Sequence, residues 1–134
     1  MSGHRIVNPP ELSPPVGFAH AVVAAAGRTV YLGGQTAQGP DGAIVGATIL
    51  EQFDVAAGNV ITALAAAGGL PEHVVSLTIY VADMPSYRAA LPGLGSIYRR
   101  HFGKHYPAMA LLGVAELFDP AALLELLGTA VIPD

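Results

Sequence analysis

The sequence contains no cysteine and no tryptophan, and only 12% of its 134 residues are charged. The absence of cysteine excludes disulfide bonds and thiolate chemistry and is compatible with a reducing compartment, so we expect a cytoplasmic protein. Six lysines and arginines stand against ten aspartates and glutamates, which gives a net charge of −4. An acidic chain with so few cations is a poor electrostatic match for nucleic acid, and we expect no nucleic-acid partner.

Apolar residues are abundant by contrast, at 52% of the chain. The longest uncharged stretch, residues 55–71, is shorter than the roughly 20 residues of a spanning helix and is interrupted by glycines, so we expect no membrane segment. The length predicts a single domain over residues 1–134, with an irregular, proline-rich arm at 1–15. A chain of this size hides so much apolar surface with difficulty, and the surplus predicts a subunit interface.

Two helices are predicted from the sequence. Thr48 and Glu51 form a capping-box pattern, and the apolar residues that follow recur at helical spacing until the Gly68–Gly69 pair. A second helix is predicted over 86–102, disturbed by a proline and two glycines.

The remaining apolar segments predict strands. Residues 73–81 alternate, with Val75, Leu77, Ile79 and Val81 predicted on one face of the strand. The resulting order, ββαβαββ, indicates an α+β fold with two helices on one face of a mixed sheet. The other predicted strands are 18–25 and 29–32, joined as a hairpin, and 107–114 and 123–132.

Five segments, in order, resemble the Rid (YjgF-type) reactive-intermediate deaminase family. The resemblance covers residues 15–132 and implies a chorismate-mutase-like fold and a homotrimer with three clefts between subunits. In active members each cleft hydrolyses an enamine or imine, such as 2-aminoacrylate, to a 2-keto acid and ammonia without a cofactor. The matching segments are PVGFAHAV at 15–22, VYLGGQ at 30–35, VVSLTIYVADM at 74–84, YRRHF at 98–102 and PAMA at 107–110.

The sequence departs from the family pattern at its polar positions. The resemblance places an arginine that pairs with the substrate carboxylate at Met109, and a glutamate that positions water at Leu127. It places a serine at Gly33, a tyrosine at Phe18 and an asparagine near Gly95. A charge-assisted hydrogen bond contributes about 1.5–3 kcal/mol and a general base about 10²–10⁴-fold in rate, so we expect the usual 2-imino-acid deaminase activity to be weak or absent. We expect the pocket to suit an uncharged or more apolar ligand.

Two residues are candidates for a catalytic role. Glu125 shares strand parity with Leu127, so it is a candidate acid or base on the same face, with a solvent-facing or intersubunit carboxylate as the alternative. His20 stands two positions after Phe18 and is the second candidate, with a partly buried structural histidine as the alternative.

Seven residues are predicted to bind the small-molecule ligand. Backbone groups at the Gly33–Gly34 pair are candidate donors, with a tight turn or bulge as the alternative. Three apolar residues line either the cleft or the core, and two residues lie at the cleft mouth or on the surface. The set is Phe18, Gly33, Gly34, His105, Tyr106, Met109 and Leu127.

The one basic cluster spans residues 99–105, and its predicted role is to complement a helix C-terminus, with a small-anion site as the alternative. His101 and His105 are four residues apart, but no third ligand is evident, so we expect no metal. No nucleotide-binding or serine-hydrolase motif occurs.

Two functions therefore stay open. The first is a diverged Rid-type enzyme that hydrolyses an imine or enamine in a cleft of a homotrimer. The second is a non-catalytic trimer that binds an apolar metabolite or a protein partner. Ribonuclease activity, attributed to some relatives, is disfavoured by the acidic charge and by the lack of an aromatic and basic stripe.

Overall fold

The computed structural model describes residues 2–134 and contains two helices and a four-stranded sheet, with a separate two-stranded ribbon. The elements are β1 (Arg5–Val7), β2 (Ala21–Val23), β3 (Gly27–Gln35), α1 (Ile49–Ala66), a 3₁₀ turn (Pro71–His73), β4 (Val74–Val81), α2 (Met84–Phe102), β5 (Ala108–Gly113) and β6 (Leu124–Pro133).

The four-stranded sheet has the order β3-β6-β4-β5. The β4–β5 pair is parallel, as expected for strands joined through a crossover helix, and the other two pairs are antiparallel. Both helices pack on one face, where α1 contributes Phe53 and Leu64 and α2 contributes Tyr98 and Phe102 to the core. The predicted α+β fold with a mixed sheet is therefore confirmed.

The predicted hairpin between residues 18–25 and 29–32 is wrong. β2 pairs with β1, and β3 pairs with β6 along most of its length. The predicted irregular arm thus contains a short strand. His4 joins this ribbon to the sheet, because its Nδ1 accepts from the Ala25 N–H at 2.9 Å and its Nε2 donates to the Val131 carbonyl at 2.9 Å. Such pairing between distant segments leaves no local signal in the sequence.

The second helix is longer and more regular than predicted. α2 begins after Asp83, whose carboxylate accepts from the Ser86 N–H, and it continues through Pro92 to Phe102. The helices approach closely at Gly93, since a Cβ there would lie 2.8 Å from a methyl carbon of Leu50 on α1, which would have to shift. The helix breakers therefore mark a close helix contact and not a break.

β4 alternates as predicted over most of its length, with Leu77, Ile79 and Val81 buried. At its start, however, Val74 is buried and Val75 only half-buried. The pairing of β4 with β6 shifts between Val74 and Ser76, which exchanges the two faces there.

By length and composition, α1 is the one helix among residues 2–134 that could cross a membrane. It instead buries Phe53, Val60 and Leu64 against the sheet, as core helices with the same composition do. The predicted Thr48 cap is confirmed, since Thr48 Oγ1 accepts from the Glu51 N–H at 3.2 Å. The Glu51 carboxylate accepts from the Thr48 hydroxyl at 2.9 Å and not from the Thr48 backbone N–H, so the reciprocal half of the predicted capping box does not form.

Candidate functional site

An open pocket of about 620 Å³ lies between α2, α1 and the helix-covered side of β5. That volume falls within the range of small-molecule sites. Aromatic and aliphatic side chains form most of its wall, and within residues 2–134 Arg99 is the only charged residue that lines it. The residues that define it are Phe18, Tyr87, Tyr98, Arg99, Tyr106 and Met109.

Three stacked rings lie at one side of this pocket, and two of them, Tyr98 and Tyr106, line it. Tyr98 stacks on Phe102 with centroids 4.7 Å apart and on Tyr106 with centroids 5.1 Å apart, the latter nearly parallel at 8°. The Tyr98 hydroxyl donates to the carbonyl of His105 at 2.7 Å. Burial, with the neighbouring Tyr106, raises the pKa of Tyr98 far above its usual range, so its hydroxyl stays protonated. Tyr98 therefore presents a neutral ring to the pocket.

His20 lies beside Phe18, and its catalytic role stays a prediction. Its ring meets Phe18 edge-on, with centroids 5.2 Å apart and planes at 84°. Its Nε2 donates to the Ser13 carbonyl at 2.8 Å, and its backbone N–H donates to Asn8 Oδ1 at 2.8 Å. The imidazole thus fixes the chain segment that carries Phe18 to the pocket.

The two residues predicted at the cleft mouth lie in different surroundings. Tyr106 lines the pocket, whereas His105 Nε2 donates to the Val74 carbonyl at 2.7 Å and ties the loop before β5 to β4. His105 is not part of the pocket wall.

A second group of predicted residues lies on the outer face of the sheet, which we define by Tyr31, Tyr80, Leu112, Glu125 and Leu127. Across this face Tyr80 is paired with both Leu112 and Glu125. Leu127 is 41% exposed, and Tyr31 is 83% exposed.

Gly33 and Gly34 lie at an irregularity in β3, where the pairing with β6 shifts between Leu32 and Gln35. A Cβ at Gly34 would overlap the Glu125 carboxylate, so only glycine lets that carboxylate approach the backbone here. Glu125, and not Leu127, therefore brings a carboxylate to the predicted backbone donors.

The two predicted groups lie on opposite faces of the sheet. Met109 is paired with Leu77, whose side chain is in the core, and Leu127 is paired with Thr78. Since neighbours in register share a face, Met109 and Leu127 cannot meet within one chain. One chain thus carries an aromatic pocket and, separately, a carboxylate beside a glycine bulge.

Sequence reasoning missed the contribution of α2 to the pocket. Tyr87, Leu91, Leu94 and Tyr98 recur at three-to-four spacing and line it together. This apolar stripe was available as a signal, but the proline and glycines in the same segment obscured it.

The basic cluster lies at the C-terminal end of α2, as predicted, with Arg99, Arg100 and His101 in the last turn. Arg100 donates twice to Asp54 of α1 at 3.0 Å, and His101 Nε2 lies 2.6 Å from the same carboxylate. These contacts, led by the His101 hydrogen bond, hold the pKa of Asp54 below its usual value. Within residues 2–134 no group of three metal-ligating side chains forms.

The fold, with its mixed sheet and two helices, is that of the Rid proteins. The structure of YyfB from Yersinia pestis, a Rid family protein of unknown function, is 33% identical and superposes with a TM-score of 0.87 over 98% of this chain and 99% of that one. Yeast Mmf1 is 29% identical with a TM-score of 0.67, covering 96% of this chain and 98% of that one.

The family model described as Endoribonuclease L-PSP matches residues 10–132, which is nearly the whole sequence. The chain therefore belongs to this family, the YjgF/Rid family. It is 30% identical over 107 residues to the mitochondrial protein MMF1 of Saccharomyces cerevisiae, covering 80% of this chain and 71% of that protein. It is 29% identical over 119 residues to 2-iminobutanoate/2-iminopropanoate deaminase of Dermatophagoides farinae, covering 87% and 88%.

Proposed function

We propose that the protein hydrolyses an imine or enamine in a cleft formed between two copies of the chain within a homotrimer. One copy contributes the pocket of Phe18, Tyr106 and Met109, and the other contributes the Gly33–Gly34 bulge with Glu125. The observation that carries the proposal is the approach of the Glu125 carboxylate to Gly34 on the exposed outer face. The 2-iminobutanoate/2-iminopropanoate deaminases among the relatives support the reaction class.

Assembly between copies is supported by the placement of the two groups. They occupy opposite faces of one sheet, so a single cleft requires two chains. The outer face also exposes Tyr31, Leu112 and Leu127, which together favour burial against another copy.

Glu125 is the proposed base. Its carboxylate takes a proton from water as the oxygen adds to the C=N carbon and gives that proton to the nitrogen, which forms a carbinolamine. It then moves the hydroxyl proton to the nitrogen as the C–N bond breaks, so that a carbonyl compound and ammonia leave. A positioned base of this kind contributes about 10²–10⁴-fold in rate. Gly33 and Gly34 are exposed, and their backbone N–H groups are the proposed donors to the ligand. Met109 stands where the family resemblance implies an arginine and offers an apolar contact instead.

The proposal is tested by generating imines in situ with an amino-acid oxidase and following their loss. We expect Glu125→Gln to lower the rate about 100-fold or more, because the amide cannot accept the proton. Gly34→Ala should lower it too, since its Cβ displaces the carboxylate. Glu116→Gln, an exposed carboxylate in the loop before β6, is the matched control and should retain the natural rate.

The shared cleft has its own test by complementation. Leu111→Trp fills the pocket, and Glu125→Gln removes the base, so each variant alone should be inactive. Oligomers that contain both variants, purified through two different tags, should regain part of the activity because some clefts combine an intact pocket with an intact Glu125. Absence of recovery in a verified mixed oligomer would contradict a cleft built from two chains.

Non-catalytic binding of an apolar metabolite is the second candidate, and the replacement at Met109 favours it. This candidate is supported if the natural protein and Glu125→Gln both bind the ligand and neither removes the imine at a measurable rate. The double variant Met109→Arg/Leu127→Glu, which restores the residues implied by the family resemblance, then tests whether the scaffold supports deamination at all.

A further inference from the structure

Arg99 differs from the arginine beside it in the last turn of α2. Arg100 is neutralised by its two hydrogen bonds to Asp54. Within residues 2–134, no carboxylate forms an ion pair with Arg99, which instead lines the aromatic pocket. The pocket therefore holds one positive charge without a protein counterion in the part of the chain that the structure describes.

Gly95 lets this guanidinium lie along the helix toward the pocket. A Cβ at Gly95, one helical turn before Arg99, would come within 3.3 Å of Arg99 Nη1, so the missing side chain leaves room for the guanidinium. Both residues line the pocket. Arg99 is exposed, and Gly95 leaves space beside its guanidinium on the helix surface.

The rest of the pocket indicates the kind of ligand that would meet this charge. Among the residues that the structure describes, no aspartate or glutamate lines it, and its wall is built mainly from Phe18, Tyr87, Tyr106 and aliphatic side chains. An arginine with no competing carboxylate favours an anion, and a carboxylate matches its planar donors. The volume of about 620 Å³ and the flat rings suit an aromatic or bulky aliphatic body in place of a three-carbon one.

We propose that Arg99 is the anion anchor of the pocket, and that its ligands are carboxylates with an aromatic or large apolar body. This inference rests on the proposed function for the pocket's role as a ligand site. It does not depend on whether Glu125 performs catalysis. Arg99, on α2, thus binds the ligand carboxylate, a role that the apolar side chain of Met109 on β5 cannot perform.

Calorimetric binding of three probes tests the anchor: 3-phenylpropanoate, the neutral 3-phenylpropan-1-ol and the small anion propanoate. We expect 3-phenylpropanoate to bind at least about 10-fold more tightly than either of the others, because it alone uses both the charge and the rings. Arg99→Met should lower the affinity for 3-phenylpropanoate about 10- to 100-fold and change the affinity for the alcohol by no more than about twofold. Arg99→Lys should retain part of the affinity.

Arg88→Met is the matched control, because Arg88 is exposed on the same helix, lies outside the pocket wall and carries the same charge. Its affinity for 3-phenylpropanoate should equal that of the natural protein. Equal losses for Arg88→Met and Arg99→Met, equal affinities for acid and alcohol, or no binding of the acid at millimolar concentration would each overturn the proposal.

The same measurements separate this inference from the proposed function. Arg99-dependent binding that persists in Glu125→Gln, without imine hydrolysis by the natural protein, sustains the anchor and refutes the catalytic proposal. If Arg99→Met hydrolyses an aromatic imino acid at the natural rate, the catalytic proposal is sustained and the anchor is refuted.

Discussion

The two faces of the sheet are built from the same strands but face different surroundings. On the helix-covered face, Leu126 is fully buried, whereas on the outer face its neighbour Leu127 is 41% exposed. Tyr31 and Leu112 are exposed beside it. An apolar core alone accounts for the first face. The second face carries apolar residues that this core does not use.

The chemistry divides along the same line. The covered face holds the aromatic pocket with its single arginine, and the outer face holds Glu125 against the glycine bulge. Neither face alone combines a binding pocket with a carboxylate. The proposed base Glu125 on the outer face is therefore separable by mutation from the core residues of the covered face.

The sharpest comparison is between Leu126→Ala and Leu127→Ala. Leu126→Ala leaves a cavity in the core and should lower the free energy of unfolding by about 2–5 kcal/mol. Leu127→Ala should lower the free energy of unfolding by about 1 kcal/mol or less at low protein concentration. The loss should grow as the concentration rises, because the contacts of Leu127 form on assembly. Urea unfolding at two protein concentrations measures both, and equal costs for the two variants would contradict the distinction between the faces.

A second prediction concerns the polar group inside the covered face. Gln52 is buried, donates to the carbonyls of Gly46 and Ala121 at 3.1 and 2.9 Å, and accepts from the Leu123 N–H at 2.8 Å. Gln52→Met keeps the length but leaves these backbone groups unpaired, so we expect a loss of about 2–4 kcal/mol in unfolding free energy.

Gln38→Met supplies the control for that measurement, because the same change at an exposed position should shift stability by about 0.5 kcal/mol or less. A comparable loss in both variants would mean that the buried hydrogen bonds of Gln52 contribute nothing specific.

A third prediction tests the outer face as an interface between copies. We expect the natural protein to sediment at three times the 13.7 kDa mass of the chain. Leu112→Asp places a charge on that face and should raise the dissociation constant about 100-fold or more, because a buried unpaired charge is costly. Leu12→Asp, an equally exposed leucine in the N-terminal arm, should leave assembly unchanged. A natural chain that sediments as a monomer at micromolar concentration would refute the trimer.

Much of the fold could be predicted because its signals are local. The Thr48 cap, the stripe of α1 and the alternation of β4 each depend on neighbouring residues, and the structure confirms all three in their main parts. The partner of β3 could not be predicted, since residues about 100 positions apart form that pair. The same limit hid the register shift that places Val74 in the core.

The candidate site was predicted in pieces. The resemblance to the Rid family identified Phe18, Tyr106 and Met109, which do line the pocket, and the Gly33–Gly34 pair. Sequence spacing could not reveal that the first group and the second face opposite ways, because this depends on strand pairing. Nor could it distinguish Arg99 from Arg100, whose difference arises from Asp54 on another helix.

The smallest expected effect concerns the contact between the helices that cover the inner face. Asp54 accepts from His101 and Arg100, and these partners lower its pKa in the folded protein. A lowered pKa means that the folded state holds its proton less tightly than the unfolded state does, so the stabilisation is complete above the unfolded value, near 3.8, and is lost as the pH falls through the lower folded value.

Because the carboxylate is 38% exposed, we expect Asp54→Asn to lower the free energy of unfolding by only about 1 kcal/mol or less at pH 7. The natural protein and the variant should converge as the pH falls below the lowered pKa of Asp54 in the folded protein. Urea unfolding between pH 2 and 7 checks this, with Glu11→Gln as a control that removes the same charge from the exposed arm. A difference between the natural protein and Asp54→Asn that stays constant down to pH 2 would show that the contact stabilises the helices through packing and not through charge.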